Sequence, residues 1–432
     1  MTIIAYSSER QHHNAVQVGT AHYSYLFIEN AFVRFLERAG YVTRYIREPQ
    51  IYKSQRAFQL AFGCNPQDII HIAFRSTENI RPMKGARNIC HYAWEFDVMK
   101  STGTITESVL ENQVQMLSMM DEIWVGCSYS KAVLEKHGIN RTYVVPAPVV
   151  SEQCPPRLTI IEALNHIATV PTIPLCLLGG VSREENAATV SSLMRALSDN
   201  PLVKAKLSGE AGRIFLSIVN PNDLRKNLLN LIEGFQMATN AAAGNNLLIV
   251  KLIIPSKGDF RTHALFDHLG PRLYDLATYI DKNIMFIVDY LSDLQMAALF
   301  SIADYYLSPS HSEGFNRPLT EAMSYGAVPV STANTAMLDY VDDLNSIVIS
   351  DRKFASPIKG MAGDVAGKPY GISYASRFDI ARACSVAISQ SLDRWNEMSR
   401  QSRKTVLSKY GDRAIRALFE DRVSSLLKHR VD

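Results

Sequence analysis

The stretch Ser308–Thr332, SPSHSEGFNRPLTEAMSYGAVPVST, reads as the end of a strand, a polar loop, a short helix and a second strand. Pro318 suits the first helical position, where its fixed φ and missing N–H cost nothing, and Gly326 suits a left-handed cap that stops the helix. Roughly two turns lie between them. Leu319, Ala322 and Met323 share one apolar face of that helix, while Glu313 falls on the loop and Glu321 near the first turn. A helix start of this kind presents unpaired N–H groups and the positive end of the helix dipole. It favours an anion beside Gly314, where the missing side chain lets a ligand approach the backbone.

Glu313, Gly314, Phe315, Pro318, Glu321, Ala322 and Met323 together resemble the EGFxxPxxEAM signature of the retaining family 4 glycosyltransferases. The resemblance implies an α/β chain of the GT-B fold, with two Rossmann-like domains whose parallel sheets face a central cleft. It further implies that Glu313 touches the hydroxyls of a donor sugar and that Glu321 binds the nucleotide ribose. The amides of Gly314, Phe315 and Asn316 would meet the sugar hydroxyls and the phosphate. Many relatives have Gly-Leu where this chain has Asn316 and Arg317, so two polar side chains are expected to face the donor sugar and sugar identity does not carry over safely. Read from the residues alone, the same stretch is also a strand-to-helix corner with two solvated acids.

At 432 residues the chain is long enough for two domains, each with its own core. A formal charge of +3 is too mild to point to nucleic acid as a partner. The six cysteines show no C-x-x-C pair and no metal-ligand spacing, so they read as buried thiols of a reducing compartment. Residues 1–10 carry no leader pattern, and Lys251 interrupts the strongest apolar run, Leu247–Ile254. The expectation is a cytoplasmic protein with no membrane span.

Residues 1–150 read as the first, acceptor-binding domain. Thr2–Ala5 is a first strand and Tyr25–Ala39 a helix closed by Gly40, with a polar loop around Gly19 between them. By resemblance that loop touches donor phosphate or acceptor, although a plain connection fits as well. Asp68–Phe74 and Arg87–His91 read as buried parallel strands, and functional groups of such sheets collect at the carboxyl ends of strands. His91, Trp94 and Glu95 fall there. A Trp-Glu pair followed by Asp121–Val125 and Ser128 is similar to a subgroup of the same family, which implies that Glu95 binds the acceptor or assists its proton loss. His91 and Trp94 fit equally a hydrogen-bonded core histidine and a packing residue. Ser130–His137 reads as a helix and Thr142–Val145 as the last strand of this domain.

Residues 151–210 read as a connecting segment of unclear role, with a possible helix over Glu184–Leu197. Residues 211–392 form the expected nucleotide-sugar domain. Arg213 onward gives strand, loop and helix, with the triplet Arg225, Lys226 and Asn227 at the helix start. Its similarity to the family's RKN triplet implies a diphosphate site, for which a forked guanidinium and a compact ammonium are well suited. Asn246–Pro255 and Met285–Val288 are further strands, and Ser292 suits the N-cap of a helix through Ile302. By resemblance the backbone of Tyr290 and Leu291 reads the nucleobase. Asp351–Gly371 reads as an exposed excursion. Residues 393–432 are C-terminal helices that, in GT-B enzymes, commonly return to the first domain. The basic stretch Arg394–Arg416 is either a solvated face or a patch for anionic lipid at the inner face of the plasma membrane.

The expected activity is retaining transfer of a sugar from a nucleotide-diphosphate sugar to a glycan or lipid-linked glycan. The family's front-face mechanism lets the donor phosphate help deprotonate the acceptor. Arg225 and Lys226 would carry the charge of the leaving diphosphate, so no cofactor and no metal are expected. A sugar phosphorylase or sugar-nucleotide epimerase on the same scaffold, and a catalytically silent nucleotide-sugar binder, are the alternatives.

Overall fold

The computed structural model describes residues 2–8, 21–99, 112–149, 158–174, 195–197, 203, 212–221, 223–241, 246–253, 283–356 and 370–428. Two sheets organise them. The first has six parallel strands in the order β2-β1-β3-β4-β5-β6. They are β1 (Ile3–Ser8), β2 (Val42–Tyr45), β3 (Ile69–Phe74), β4 (Arg87–Tyr92), β5 (Glu122–Val125) and β6 (Thr142–Val144). β1 and β3 are buried along their whole length, Ser7, Ser8 and His71 included.

The second sheet contains β7 (Pro171–Pro174), β8 (Arg195–Ala196), β9 (Ile214–Val219), β10 (Leu247–Leu252), β11 (Ile284–Ile287), β12 (Tyr305–Ser308), β13 (Val328–Thr332) and β14 (Ile347–Ile349). Its order is β14-β13-β12-β9-β10-β11-β7-β8, parallel from β14 to β11 and antiparallel where β7 joins β11 and β8 joins β7. This corrects the expectation for residues 151–210. Their described part is not a connection but an edge of the second sheet. Helix Ile160–Ile167 packs against helix Asp293–Ile302 on one face of that sheet. β7 lies between β11 and β8, with Pro174 in register with Met285 and Pro171 with Ala196. Within the possible helix Glu184–Leu197, Arg195–Ala196 is strand; residues 184–194 lie outside the described residues.

Helix α1 (Ala21–Arg38) covers one face of the first sheet together with α2 (Asp412–Lys428), the last helix of the chain. Phe419 meets Phe35, Tyr41 and Trp124 edge-on, with ring centroids 5.1–6.1 Å apart. Arg38 forks onto Asp412, and Arg422 pairs with Glu122 while lying 3.5 Å over the Tyr143 ring. On the second sheet, helices Leu228–Ala241 and Arg377–Ser389 pack closely. A Cβ at Gly234 would lie 2.7 Å from Ile380 Cβ, so only glycine allows that approach.

Asp351–Gly371 is also not an open excursion at its ends. Arg352–Ser356 and Tyr370–Tyr374 pair antiparallel as β15 and β16; residues 357–369 lie outside the described residues. Cys90, Cys127 and Cys384 are buried free thiols and Cys64 is half-buried, with burial pushing each thiol above its ordinary range. Among the described residues no helix is long and apolar enough to cross a membrane.

Candidate active site

The Ser308–Thr332 stretch folds as strand, loop, helix and strand. The helix runs Arg317–Ser324, with proline in its first turn and with Leu319, Ala322 and Met323 fully buried. Gly326 takes φ 90° at its end. Asn316 precedes the helix at φ 58°, a left-handed conformation that asparagine tolerates better than most residues. The loop before it is pinned from several sides. Thr332 Oγ1 and Asn334 Nδ2 donate to Ser310 O, Thr335 Oγ1 accepts from Glu313 N at 2.8 Å, and Tyr340 Oη donates to Phe315 O at 2.7 Å. Glu313 is thereby held almost fully buried at the carboxyl end of β12.

The second part of the site follows β9. Leu224–Lys226 is a single 3-10 turn capped by Asp223, and Asn227 takes φ 56°. Asn227 is structural: its Nδ2 donates to Pro309 O and Ala375 O. His311 N donates to Arg225 O at 2.8 Å, which ties this turn to the loop of Glu313. Lys226 Nζ then reaches Glu313 Oε1 at 2.5 Å. The Arg225 guanidinium donates to both carboxylate oxygens of Asp223 and to Ser312 O, and NH1 lies 2.9 Å from Glu95 Oε1 of the first domain. Phe96 faces the same guanidinium at 5.5 Å. Burial pulls the Arg225 pKa down, yet Glu95 and Asp223 beside it hold it above the ordinary value. Burial raises the Glu95 carboxyl, with Arg225 opposing.

Glu321 pairs with Arg317 at 2.7 Å, and burial raises its carboxyl against the pull of that arginine. Arg317 NH1 donates to Pro148 O, and Asn316 Nδ2 to Ser308 Oγ. Both side chains are engaged within the protein in this arrangement. Gly314 lies against the first domain: a Cβ there would sit 3.4 Å from Trp94 N and O. Phe315 packs edge-on to Tyr410, with ring centroids 5.1 Å apart. Tyr290 is about half exposed, its ring 6.0 Å from Lys251 Nζ, and Leu291 packs against the second domain's core.

On the first-domain side, among the described residues, Glu95 reaches this constellation with its carboxylate and Phe96 with its ring. His91 is a core histidine, a correction: its Nε2 donates to Val145 O at 3.1 Å and its ring packs on Phe32 and Phe74. Burial lowers its pKa to about 4. Trp94 donates Nε1 to Val98 O and stacks on Tyr92, and its carbonyl accepts from Ser130 Oγ. Gly19 lies outside the described residues. Sequence reasoning missed Asp223, although Asp two residues before Arg in NDLRKN is a cap pattern. It also missed Asp97, which accepts from Gly371 N with both oxygens at 3.0 Å, and Asp339, which accepts from Ser128 N and Oγ. No local signal marks either contact, because each joins distant segments.

Residues 274–356 match the sequence model of the family described as glycosyl transferases group 1. That segment holds Glu313 and Glu321 but not Arg225, Lys226 or Glu95. No curated protein matches the chain in sequence. Among solved structures, sucrose-phosphate synthase from Thermosynechococcus elongatus is 13% identical, with 99% of this chain and 100% of that one covered and a TM-score of 0.56. Anabaena Alr3699/HepE in complex with UDP is 10% identical, with coverage of 98% and 100% and a TM-score of 0.55. An E. coli structure described as trehalose-6-phosphate bound with UDP-2-fluoro glucose is 12% identical, with 99% of each chain covered and a TM-score of 0.56. The chain has the GT-B fold, and its segment 274–356 is similar to glycosyl transferases group 1.

Proposed function

We propose that this chain is a retaining, family 4 type glycosyltransferase that moves a sugar from a nucleotide-diphosphate sugar to a glycan or lipid-linked glycan. The observation that carries the reading is the meeting of Glu313 with Lys226 and Arg225 at the carboxyl ends of β12 and β9, beside the start of a helix and opposite Glu95. In this reading Glu321 holds the ribose, and the backbone of Tyr290 and Leu291 meets the base. Amides of Gly314, Phe315 and Asn316 take the phosphate and the sugar.

The leaving diphosphate gains negative charge as the glycosidic bond breaks. Arg225, Lys226 and the positive end of helix Arg317–Ser324 are positioned to stabilise that charge, so the reaction needs no divalent ion. Glu313 orients the sugar over it. The donor phosphate takes the acceptor proton on the same face, and the two domains exclude water from the reacting centre. The enzyme is cytoplasmic and meets the inner face of the plasma membrane through its C-terminal helices.

A thermal-shift screen of nucleoside diphosphates and their sugars tests the reading. Two fold neighbours are described with UDP or a UDP-sugar, so uridine nucleotides come first. A ligand at a hundredfold its dissociation constant stabilises by about 2.7 kcal/mol. Absence of any shift across the whole screen removes the nucleotide-sugar assignment.

A further inference from the structure

The loop after β4, Trp94–Val98, belongs to the first domain, yet consecutive residues of it are held by the second. Trp94 backbone lies against Gly314, Glu95 pairs with Arg225, Phe96 packs on Ile372, and Asp97 accepts from Gly371 N. Of these contacts only Glu95–Arg225 involves a side chain that the reaction proposed above assigns to the donor's diphosphate.

The charges around that pair do not balance. Asp223, Glu95 and Glu313 surround Arg225 and Lys226, three acids against two bases. A diphosphate adds further negative charge, so at least one carboxylate has to withdraw for the cations to serve it. Asp223 is fixed to the turn itself, because its Oδ1 also accepts from Arg225 N at 3.2 Å. Glu313 sits on a loop whose backbone is pinned by Thr335. Glu95 alone comes from the other domain, so a small movement between domains removes it without unmaking either turn. It also occupies NH1, whereas Asp223 takes Nε and NH2.

We propose that Glu95 competes with the donor's diphosphate for Arg225, so that donor entry frees the Glu95 carboxylate for the acceptor. The inference rests on the glycosyltransferase reading and adds an order to it: donor first, acceptor second. Glu95 thus acts through Arg225 as a positioning residue before it meets any substrate. An acceptor ligand with no part in the donor site would leave donor affinity untouched, and a group that merely orients Arg225 for phosphate would strengthen it.

Titration calorimetry on the full chain separates these roles, using UDP, GDP, ADP, CDP and TDP as probes. Relative to wild type, Glu95→Gln binds the preferred nucleoside diphosphate about tenfold tighter, a coupling at the low end of the usual range. Glu95→Asp keeps the charge but retracts it by one methylene, and tightens binding in the same direction by about threefold. It carries the test if the glutamine variant does not fold. Unchanged or weaker binding in the folded variants overturns the competition while leaving the nucleotide-sugar assignment standing. Failure of wild type and both variants to bind any of the five nucleotides overturns that assignment and the competition with it.

Discussion

Lys226 Nζ lies 2.5 Å from Glu313 Oε1, although the two residues are 87 positions apart in the chain. The contact exists because β9 and β12 are neighbours in the second sheet and both end at the same edge of the cleft. It joins the RKN turn to the loop before helix Arg317–Ser324, and it leaves neither charge alone in a largely buried place.

Lys226→Ala is expected to lower turnover by roughly 10² to 10³, the scale for one lost preorganised donor to a developing charge. It also strands the Glu313 carboxylate, at a cost of about 3 kcal/mol in stability. Adding Glu313→Gln to the same chain recovers most of the melting temperature but none of the turnover. Wild-type turnover in Lys226→Ala, with donor binding demonstrated, would take Lys226 out of the mechanism.

Activity is expected to survive excess chelator, since the guanidinium, the ammonium and the helix start are assigned the charge of the leaving group. The measurement is product formation with EDTA present and after magnesium or manganese is returned. Loss with EDTA and recovery with metal contradicts the electrostatic assignment.

The contribution of His71 and His91 to stability should fall as the solution is acidified from pH 6.5 toward pH 4. His71 and His91 are buried, and burial lowers each from the ordinary 6.5 to about 4. His71 bonds Ser7 Oγ and Asn88 Oδ1, and His91 bonds Val145 O, so both are held neutral in the native state. The unfolded chain therefore binds protons first. Their contribution is complete above about pH 6.5 and is lost as pH falls through 4, by about 3 kcal/mol per histidine at most. His91→Leu keeps an apolar side chain against Phe32 and Phe74 and should flatten the acid limb of melting temperature against pH. An unchanged slope would mean that His91 is not titrating differently in the two states.

Membrane binding through the C-terminal helices is expected to be weak and reversed by salt. Arg394 donates to Asp343 O, Arg400 pairs with Glu397, Lys409 donates to Asp339 O and Arg416 pairs with Glu420. Arg403, Lys404 and Arg413 remain as exposed cations, and each contributes about 1 kcal/mol near an anionic surface. Sedimentation with phosphatidylserine vesicles at low and high salt measures this. Protein left in the supernatant at low salt would favour a soluble acceptor.

Local spacing made the strand, loop and helix of Ser308–Thr332 legible, and it placed the helix after Ser292, whose capping box with Gln295 is formed. It failed where pairing comes from elsewhere. Pro171–Pro174 has no period of its own and becomes a strand only because β11 offers it an edge. Arg352–Ser356 and Tyr370–Tyr374 likewise need each other. For His91 the alternation of β4 held the answer. Ile89 and His91 share the face packed under α1, while Cys90 and Tyr92 point to the opposite core, so His91 follows the apolar parity of its strand. Glu95 lies beyond the strand, where parity no longer constrains it. Its partner Arg225 belongs to the other domain, and no local pattern could name it.

The packing of α2 on the first sheet has a consequence for the order in which the protein is made. The second domain's cores are complete once Trp395, Met398, Val406 and Tyr410 have been added. The first domain's core still lacks Ile415, Phe419, Val423 and Leu426 at that moment. On the ribosome its sheet emerges first, with one face covered by α1 but not yet by α2, and waits for nearly the entire remaining chain. The domain begun first is the domain finished last.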